Sequence, residues 1–297
     1  MKKLIPWLLA VVVFQLCIYL YLDRVLLVPA VSSITQKPIG SDGVSKLPSY
    51  DSSYLAEVSK DWVKIYSVKD NNVVNQVDIG ATEKLTYFSW LPDRDIALAG
   101  ISKPGAKGTI CTLKPLNMIT DNHPVEPSIT GLSKGAEIAD VAFSPDINVV
   151  YIQVKSGNVS SIYRTDANNK LTEVSNTPAA IGRIANLKSE DALLYDSINT
   201  GLVYLVDKNG RKQLSPVDGS QYALIGTDKD DNIYIAKLTG AKTSTKTGSS
   251  SQTDNARLAE SILVGKMDGS FSPLQQAGLP YPAEFIRVDF DGKLLLK

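Results

Sequence analysis

The sequence predicts an all-β domain that begins near residue 50 and follows a single apolar helix at the N-terminus. Beyond residue 50, apolar and polar residues alternate with a period of two, as in Val149–Val154, and this alternation is typical of strands. Turn-forming residues recur every 8–12 residues or so. No long stretch keeps apolar residues at helical spacing, so the chain beyond the first segment is expected to contain strands and turns.

The composition narrows the classes of function. The 297 residues contain 31 Lys plus Arg and 31 Asp plus Glu, and no run of five basic residues occurs. Because nucleic-acid binding depends on clustered positive charge, this balance argues against a nucleic-acid partner.

The two cysteines cannot form a disulfide within the predicted domain, because Cys17 lies in the apolar run and only Cys111 lies in the domain. An exported domain without a disulfide favours a bacterial protein. Its apolar neighbours predict that Cys111 is a buried strand residue.

Residues 4–22 predict a transmembrane helix. Twelve of these 19 residues are Leu, Ile, Val or Phe, and a helix of that length spans about 28 Å, close to the thickness of the hydrocarbon core. Lys2 and Lys3 precede the run, so the positive-inside rule places a cytoplasmic stub at residues 1–3 and the bulk of the chain outside. A cleaved signal peptide with Val28-Pro29-Ala30 as its processing site is the alternative.

Two segments are expected to lack regular structure. Residues 23–50 are rich in small, polar and turn-forming residues and predict a flexible linker. Residues 240–256 form a low-complexity insert of Ser, Thr, Gly and Lys that offers no side chain able to anchor a core, so we expect a mobile loop.

Two hairpin units alternate along residues 51–297. The first is an apolar strand, an Asp-containing turn and a second strand, as in Val141–Asp146 followed by Val149–Ile152. The second unit is a strand, an Asp-containing turn and a strand, as in Ile162–Asn169. Because the two units together return every 40 to 60 residues or so, each pair predicts one four-stranded sheet, which is one blade of a β-propeller.

The number of units predicts five blades. Four complete blades are expected at 81–130, 136–178, 180–216 and 219–277. The segments 62–79 and 283–297 then predict a shared fifth blade that closes the ring. Six blades is the alternative, because Tyr54–Val58 competes with Leu294–Leu296 for one strand of the closing blade. A pair of β-sandwiches would also fit the alternation.

One copy of the repeat resembles a known family. Phe143-Ser-Pro-Asp146, followed by Val149–Ile152, is similar to the F-S-P-D-G repeat of TolB-type and WD40-like β-propellers. The periodic pattern covers residues 51–297, but two residues are inserted at 88–93, and the family's Gly after Asp is present only at Gly292. The resemblance implies a fold and no particular function, because such repeats serve many roles.

Metal and cofactor chemistry is not predicted. His123 is the only histidine, and one histidine cannot form a histidine-rich zinc site. Asp228-Lys-Asp230-Asp-Asn232 begins like a calcium loop, but Ile233 and Thr239 replace the glycine and glutamate that such a loop needs, so we expect a hairpin turn there. No phosphate-binding or dinucleotide-binding glycine motif occurs. We therefore expect no cofactor.

The candidate contacts lie where the innermost strands of the blades begin, at one mouth of the central channel. These residues are Glu83, Lys84, Glu137, Arg183, Tyr222 and Glu284. The ring mixes positive and negative side chains, which suits the recognition of a partner. Its acids could also support glycoside hydrolysis, which needs two carboxyl groups at a defined separation.

The sequence thus predicts a single-pass protein of the cell membrane with a propeller on the outer side. We expect a non-enzymatic binding scaffold or sensor for an envelope protein or a surface polymer. The alternative is an extracytoplasmic glycan-active hydrolase that uses Glu137 and Glu284. A third hypothesis is that the channel binds a small ligand.

Overall fold

The computed structural model describes Gln15 and residues 43–118, 126–168, 170–175, 177–239, 257–274 and 278–296. The predicted insert at 240–256, and the predicted membrane span at 4–22 apart from Gln15, lie outside these residues, as does His123. In the part of the chain that is described, no helix is long and apolar enough to cross a membrane.

The described residues form an all-β structure of antiparallel sheets. Three sheets contain four strands each that follow one another in the chain: β1 (Ser45–Pro48), β2 (Tyr54–Val58), β3 (Trp62–Ser67) and β4 (Val73–Asp78); β5 (Lys84–Trp90), β6 (Ile96–Gly105), β7 (Gly108–Asn117) and β8 (Ser128–Leu132); β9 (Glu137–Ser144), β10 (Val149–Ser156), β11 (Val159–Thr165) and β12 (Thr172–Glu173).

The second half of the chain continues this pattern and then changes it. Its strands are β13 (Ile181–Asn186), β14 (Leu193–Ser197), β15 (Leu202–Asp207) and β16 (Gly210–Gln213); β17 (Tyr222–Thr227), β18 (Ile233–Leu238), β19 (Leu258–Gly265) and β20 (Phe271–Leu274), with the short β21 (Tyr281–Pro282) beside β19; and finally β22 (Ile286–Val288) and β23 (Leu294–Leu296). A short 3-10 turn, Ala283–Phe285, precedes β22. The last sheet has two strands in the described residues.

The four complete sheets predicted from the repeat are present at the expected places. Each combines a first hairpin with a second hairpin, and neighbouring strands in the chain pair in every case. The best copy of the motif behaves as predicted, because β9 ends at Ser144 and β10 begins at Val149, with Val149 paired to Ser144 across the turn. Cys111 lies in β7 and is fully buried, which confirms the prediction for that residue.

The prediction of a closing blade shared by the two ends of the domain is wrong. β3 and β4 pair with β1 and β2 to make a complete sheet of their own, while β22 and β23 pair only with each other. The physical reason is that β2 pairs with β3 and so takes the place predicted for the C-terminal strand. Ala56 and Val58 of β2 are buried, which stabilises this pairing. Once β2 occupies that place, the C-terminal hairpin has no edge of β3 to join.

The predicted linker is also too long, because β1 lies inside it. The turn between β1 and β2 is held by Asp51, whose carboxylate accepts bonds from the hydroxyl groups of Ser49 and Ser53 at 3.0 and 2.6 Å and from the Ser53 amide at 2.8 Å. Serine, proline and aspartate are common both in linkers and in tight turns. Composition alone therefore could not separate this turn from a tether.

Apolar clusters fill the spaces between consecutive sheets from the second sheet onward. One cluster joins Leu113 of β7 to Ile138 of β9, a second joins Ile162 of β11 to Leu193 of β14, and similar clusters lie between the following pairs of sheets. The alternation seen in the sequence explains this arrangement, since every second residue of a strand faces one neighbouring sheet. The core is a series of layers between successive sheets.

Candidate functional site

A cavity of about 1490 Å³ is lined mainly by the first strand of each sheet. Residues of β1, β5, β9, β13, β17 and β22 all line it. This volume exceeds the 300–1,000 Å³ or so of a typical small-molecule pocket. The cavity is therefore large enough for an extended ligand, and its chemistry is set by side chains from all six sheets.

Four of these lining strands carry a β-bulge within the cavity wall. One extra residue enters β5 between Leu85 and Tyr87, β9 before Asp140, β13 before Ile184 and β17 before Gly226. A bulge bends the strand and redirects the side chains next to it. The bulges place Tyr87, Asp140 and Arg183 on the cavity wall, and Arg287 of β22 joins them there. We call Tyr87, Asp140, Arg183 and Arg287 the channel layer.

Arg183 joins three strands of the cavity wall. Its Nη1 donates to the carbonyl oxygens of Ile225 at 2.7 Å and Ile286 at 2.8 Å, and its Nη2 donates to that of Glu284 at 3.0 Å. These carbonyls belong to β17, to β22 and to the turn before β22. A single guanidinium thus satisfies three main-chain acceptors at places where sheets meet, which is a structural use of its donors.

A buried ion pair supports the main chain beside Arg183. Asp196 is almost fully buried and accepts bonds from the Arg183 amide and from Nη1 of Arg257, both at 2.6 Å. Burial raises the pKa of Asp196, while the charge of Arg257 opposes that rise. A Cβ atom at Gly182 would lie 2.5 Å from the Asp196 carboxylate. Glycine is therefore required at this bulge.

Asp140 and Arg287 both line the cavity, and each charge affects the pKa of the other, although the two side chains form no ion pair within 4.0 Å. Asp140 accepts bonds from the amides of Val141 at 3.0 Å and Ile184 at 3.3 Å. Burial raises the pKa of Asp140 to about 6, and the positive charge of Arg287 limits the rise. The Tyr87 hydroxyl lies near both charges, and burial raises its pKa as well.

The six residues predicted from the sequence are divided between the cavity and its surroundings. Arg183 and Glu284 line the cavity and meet through the bond from Arg183 to the Glu284 carbonyl. Lys84 and Glu137 form an exposed ion pair at 2.5 Å and are not part of the cavity wall. Glu83 caps its own turn by accepting the Gly80 amide at 3.1 Å. Glu137 and Glu284 therefore do not form an acid pair inside the cavity.

Tyr222 is buried beside the cavity and away from its wall. Its hydroxyl donates to Asp218 at 2.9 Å, and burial together with this carboxylate raises its pKa to about 12. Its carbonyl accepts a bond from Arg257 at 3.1 Å. Tyr222 thus holds the loop before β17 and receives one arm of the buried ion pair.

A second group of buried polar residues lies at the opposite ends of the inner strands. Lys188 is 9% exposed and donates to the Thr227 hydroxyl at 3.3 Å, and that hydroxyl donates to the Asn186 carbonyl at 2.9 Å. Burial lowers the pKa of Lys188, and the nearby carboxylates of Asp231 and Asp93 oppose that change. All three polar side chains line the cavity.

Four further residues line the cavity and were not predicted from the sequence: Tyr87, Asp140, Arg287 and Lys188. The first two precede the turn aspartates of their repeats by the same distance, since Asp93 and Asp146 each lie six residues further on. An alignment of the repeats on these aspartates would have marked one position that carries polar residues inside apolar strands. This shared position could have been used to predict Tyr87 and Asp140 as site residues. The bulges that turn these side chains inward cannot be predicted from composition.

The candidate calcium loop is a hairpin turn. The Asp228 carboxylate accepts bonds from the amides of Asp230 and Asn232, both at 2.9 Å, and from the Tyr234 hydroxyl at 2.9 Å. Its acceptor capacity is used by the turn itself. Among the described residues no group of three or more His, Cys, Asp or Glu side chains could hold a metal ion.

Comparison with known proteins supports the fold. No family model matches the chain. A search of curated proteins finds no relative. Among solved structures, a chain with a WD40-type fold from "Crystal Structure of Mitotic Checkpoint Complex" has a TM-score of 0.53 and 18% identity, over 84% of this chain and 72% of that one. At this identity the similarity concerns the fold alone, and it agrees with a propeller-like arrangement of the antiparallel sheets.

Two further structures share less of the geometry. "Dihydro-heme d1 dehydrogenase NirN in complex with DHE" has a TM-score of 0.48 at 16% identity, over 78% of this chain and 46% of that one. "Luciferin-regenerating enzyme solved by SIRAS using XFEL" has a TM-score of 0.47 at 10% identity, over 82% and 77% of the two chains.

Proposed function

We propose that the chain is a six-bladed β-propeller, anchored in the cell membrane by residues 4–22, that acts as a non-enzymatic binding scaffold or sensor on the outer side. Its partner is an envelope protein or a surface polymer. The observation that carries this proposal is the large cavity, because one strand from each of six sheets contributes to its wall. The sixth blade is the two-stranded sheet of β22 and β23.

The chemistry of the cavity favours binding. Among the charged side chains of its wall, Asp196 and Lys188 are buried, and electrostatic contacts are stronger there than on an open surface. Several of these groups, such as Arg183 and Asp196, are held by main-chain hydrogen bonds or by a buried ion pair. A wall fixed in this way is preorganised, which lowers the entropic cost of capturing a partner.

The membrane anchor is tested separately from the binding site. Deleting residues 1–42 should release the protein from membranes, whereas the full chain should resist extraction by alkaline carbonate. A reporter enzyme that is active only outside the cytoplasm, fused after residue 297, should be active. Release of the full chain by carbonate, or an inactive reporter, would contradict the proposed location.

The binding role is tested by crosslinking and capture from native membranes with the full chain. The double variant Asp140→Asn/Arg287→Met should lose the captured partner, because it removes the negative charge of Asp140 and the positive charge of Arg287 from the channel layer. Lys103→Met removes an exposed positive charge outside the cavity and serves as the matched control. Equal capture by the parent and by the channel variant would overturn the proposal.

A glycan-active hydrolase is the second candidate, and one observation favours it. The pKa of Asp140 is raised to about 6, as a general acid for glycoside cleavage requires. Asp196 is close enough to contribute to that rise. Release of reducing ends from a polysaccharide by the parent protein, lost in Asp140→Asn with folding intact, would establish this function. If the parent protein released no reducing ends, the hydrolase hypothesis would be wrong.

A further inference from the structure

The three arginines around the channel layer differ in which of their donors are used. Arg183 and Arg257 are committed to main-chain carbonyls and to Asp196. Arg287 uses only Nη1, which donates to the carbonyl oxygens of Glu284 at 2.7 Å and Ile286 at 3.2 Å. Its Nε and Nη2 donate to none of the described residues. Nη2 is in use in both Arg183 and Arg257. Arg287 is thus the one of the three whose Nε–Nη2 edge, a pair of donors suited to a carboxylate, makes no bond to a described residue.

The groups around Arg287 define what such a ligand must carry. Asp140 lies on the cavity wall and can accept bonds from a ligand hydroxyl, and the Tyr87 hydroxyl can donate or accept. Acidic side chains also line this region, among them Glu284, Asp289 and Asp291. A phosphate brings two negative charges to a single group, so these carboxylates repel it more strongly than they repel single carboxylates that lie apart from one another. A single carboxylate flanked by hydroxyl groups satisfies Arg287 and Asp140 together.

An aromatic surface lies three residues further along the inner strands. Trp90 of β5 and Phe143 of β9 both line the cavity. The indole nitrogen of Trp90 donates to the Leu47 carbonyl at 3.0 Å, which fixes the orientation of its ring. Aromatic rings in a pocket pack against the apolar face of a ligand, while a few polar groups set its orientation. A pyranose ring has such a face on one side and hydroxyl groups around its edge.

We propose that the cavity binds an acidic saccharide through a uronic acid residue, with its carboxylate on Arg287 and its hydroxyl groups on Asp140 and Tyr87. This inference rests on the proposed function and specifies the partner as a surface polymer that contains uronic acid residues. A forked guanidinium recognises a planar carboxylate through two parallel hydrogen bonds. The volume of about 1490 Å³ has room for several sugar residues.

Calorimetry on the full chain in detergent tests the proposal with trigalacturonate as the probe. The neutral trisaccharide of galactose should bind at least about tenfold more weakly, because Arg287 would lack its partner. Arg287→Met should weaken trigalacturonate binding by a similar factor, and Arg287→Lys should restore it only in part because lysine lacks the fork. Lys103→Met should leave the affinity unchanged within about twofold.

Two milder variants keep the proposal testable if Arg287→Met fails to fold. Tyr87→Phe removes one hydroxyl and keeps the ring, and Asp140→Asn keeps the size of the side chain, so each should weaken binding with an unchanged melting temperature or a raised one. Equal affinity for the acidic and neutral trisaccharides, or binding of dialanine in place of trigalacturonate, would overturn the proposal. If partner capture still depends on the channel in that case, the sugar assignment alone has failed.

Discussion

The rim of the inner strands and the channel layer contain similar residue types, yet their surroundings give those residues different roles. At the rim, Lys84 and Glu137 form an ion pair with 60% and 42% of their side chains exposed. A few residues along the same strands, Tyr87 and Asp140 lie on the cavity wall, and the Asp140 pKa is raised to about 6. The comparison shows that chemical character in this fold depends on depth along the strand.

The largest expected effect comes from Arg183→Met. It removes three hydrogen bonds at places where sheets meet, and the Glu284 and Ile286 carbonyls then keep only the bonds from Arg287. We therefore expect the free energy of unfolding to fall by about 3–5 kcal/mol. Urea denaturation measures this, with Lys103→Met as a control that should change stability by less than about 0.5 kcal/mol. A loss below about 1 kcal/mol would show that the three bonds add little to stability.

Gly182→Ala tests the difference between the rim and the channel layer at a backbone position. The added Cβ would lie 2.5 Å from the buried Asp196 carboxylate, and we expect a destabilisation of about 2–3 kcal/mol. At Gly80 in the rim, the same change would meet only the flexible end of Glu83 at 3.3 Å. Gly80→Ala should therefore be tolerated, and equal costs at both positions would contradict the described packing.

Asp140→Asn should stabilise the protein at neutral pH. The pKa of Asp140 is about 6 in the folded state against an ordinary value of 3.8, so the folded state binds more protons between these values. The stability of the parent protein must then decrease as the pH rises through that window. We expect the variant to be more stable by about 1 kcal/mol near pH 7.5, and the difference to disappear below about pH 4. Chemical denaturation at several pH values measures it, and a variant less stable than the parent at neutral pH would contradict this environment.

The smallest effect is expected at the rim. Lys84→Met or Glu137→Gln should each change the free energy of unfolding by less than about 1 kcal/mol, because both partners are exposed to water. The effect should decrease further in about 1 M salt. A salt-independent loss larger than that of Gly182→Ala would mean that this ion pair is buried in solution.

The hairpins could be predicted from the sequence because each is a local pattern. Alternating apolar residues and a turn aspartate define β9 and β10 within about twenty residues of chain. β1 escaped prediction because its turn, held by Asp51, is made of residues that also form linkers. The closing sheet was predicted wrongly because it depended on which of two apolar segments pairs with β3, a long-range choice that local patterns do not determine.

The candidate site was only partly predictable for a related reason. Arg183 and Glu284 were expected at the channel, and both line the cavity. Asp140 and Tyr87 reach it through bulges that insert one residue and reverse the facing of the side chains that follow. Arg287 depends on contacts between β22 and strands more than a hundred residues away. Such positions are fixed by tertiary structure.

Asp140 and Arg287 are distant in sequence, yet both lie in the channel layer and are close enough for each charge to affect the pKa of the other. The most direct test of this arrangement is the pKa of the Asp140 side chain in the parent protein and in Arg287→Met. NMR measures it from the change in the chemical shift of the carboxyl carbon with pH. We predict a pKa near 6 in the parent protein and a higher value in the variant, because the variant removes the positive charge that limits the rise. An Asp140 pKa near 4 that does not change in Arg287→Met would contradict the account.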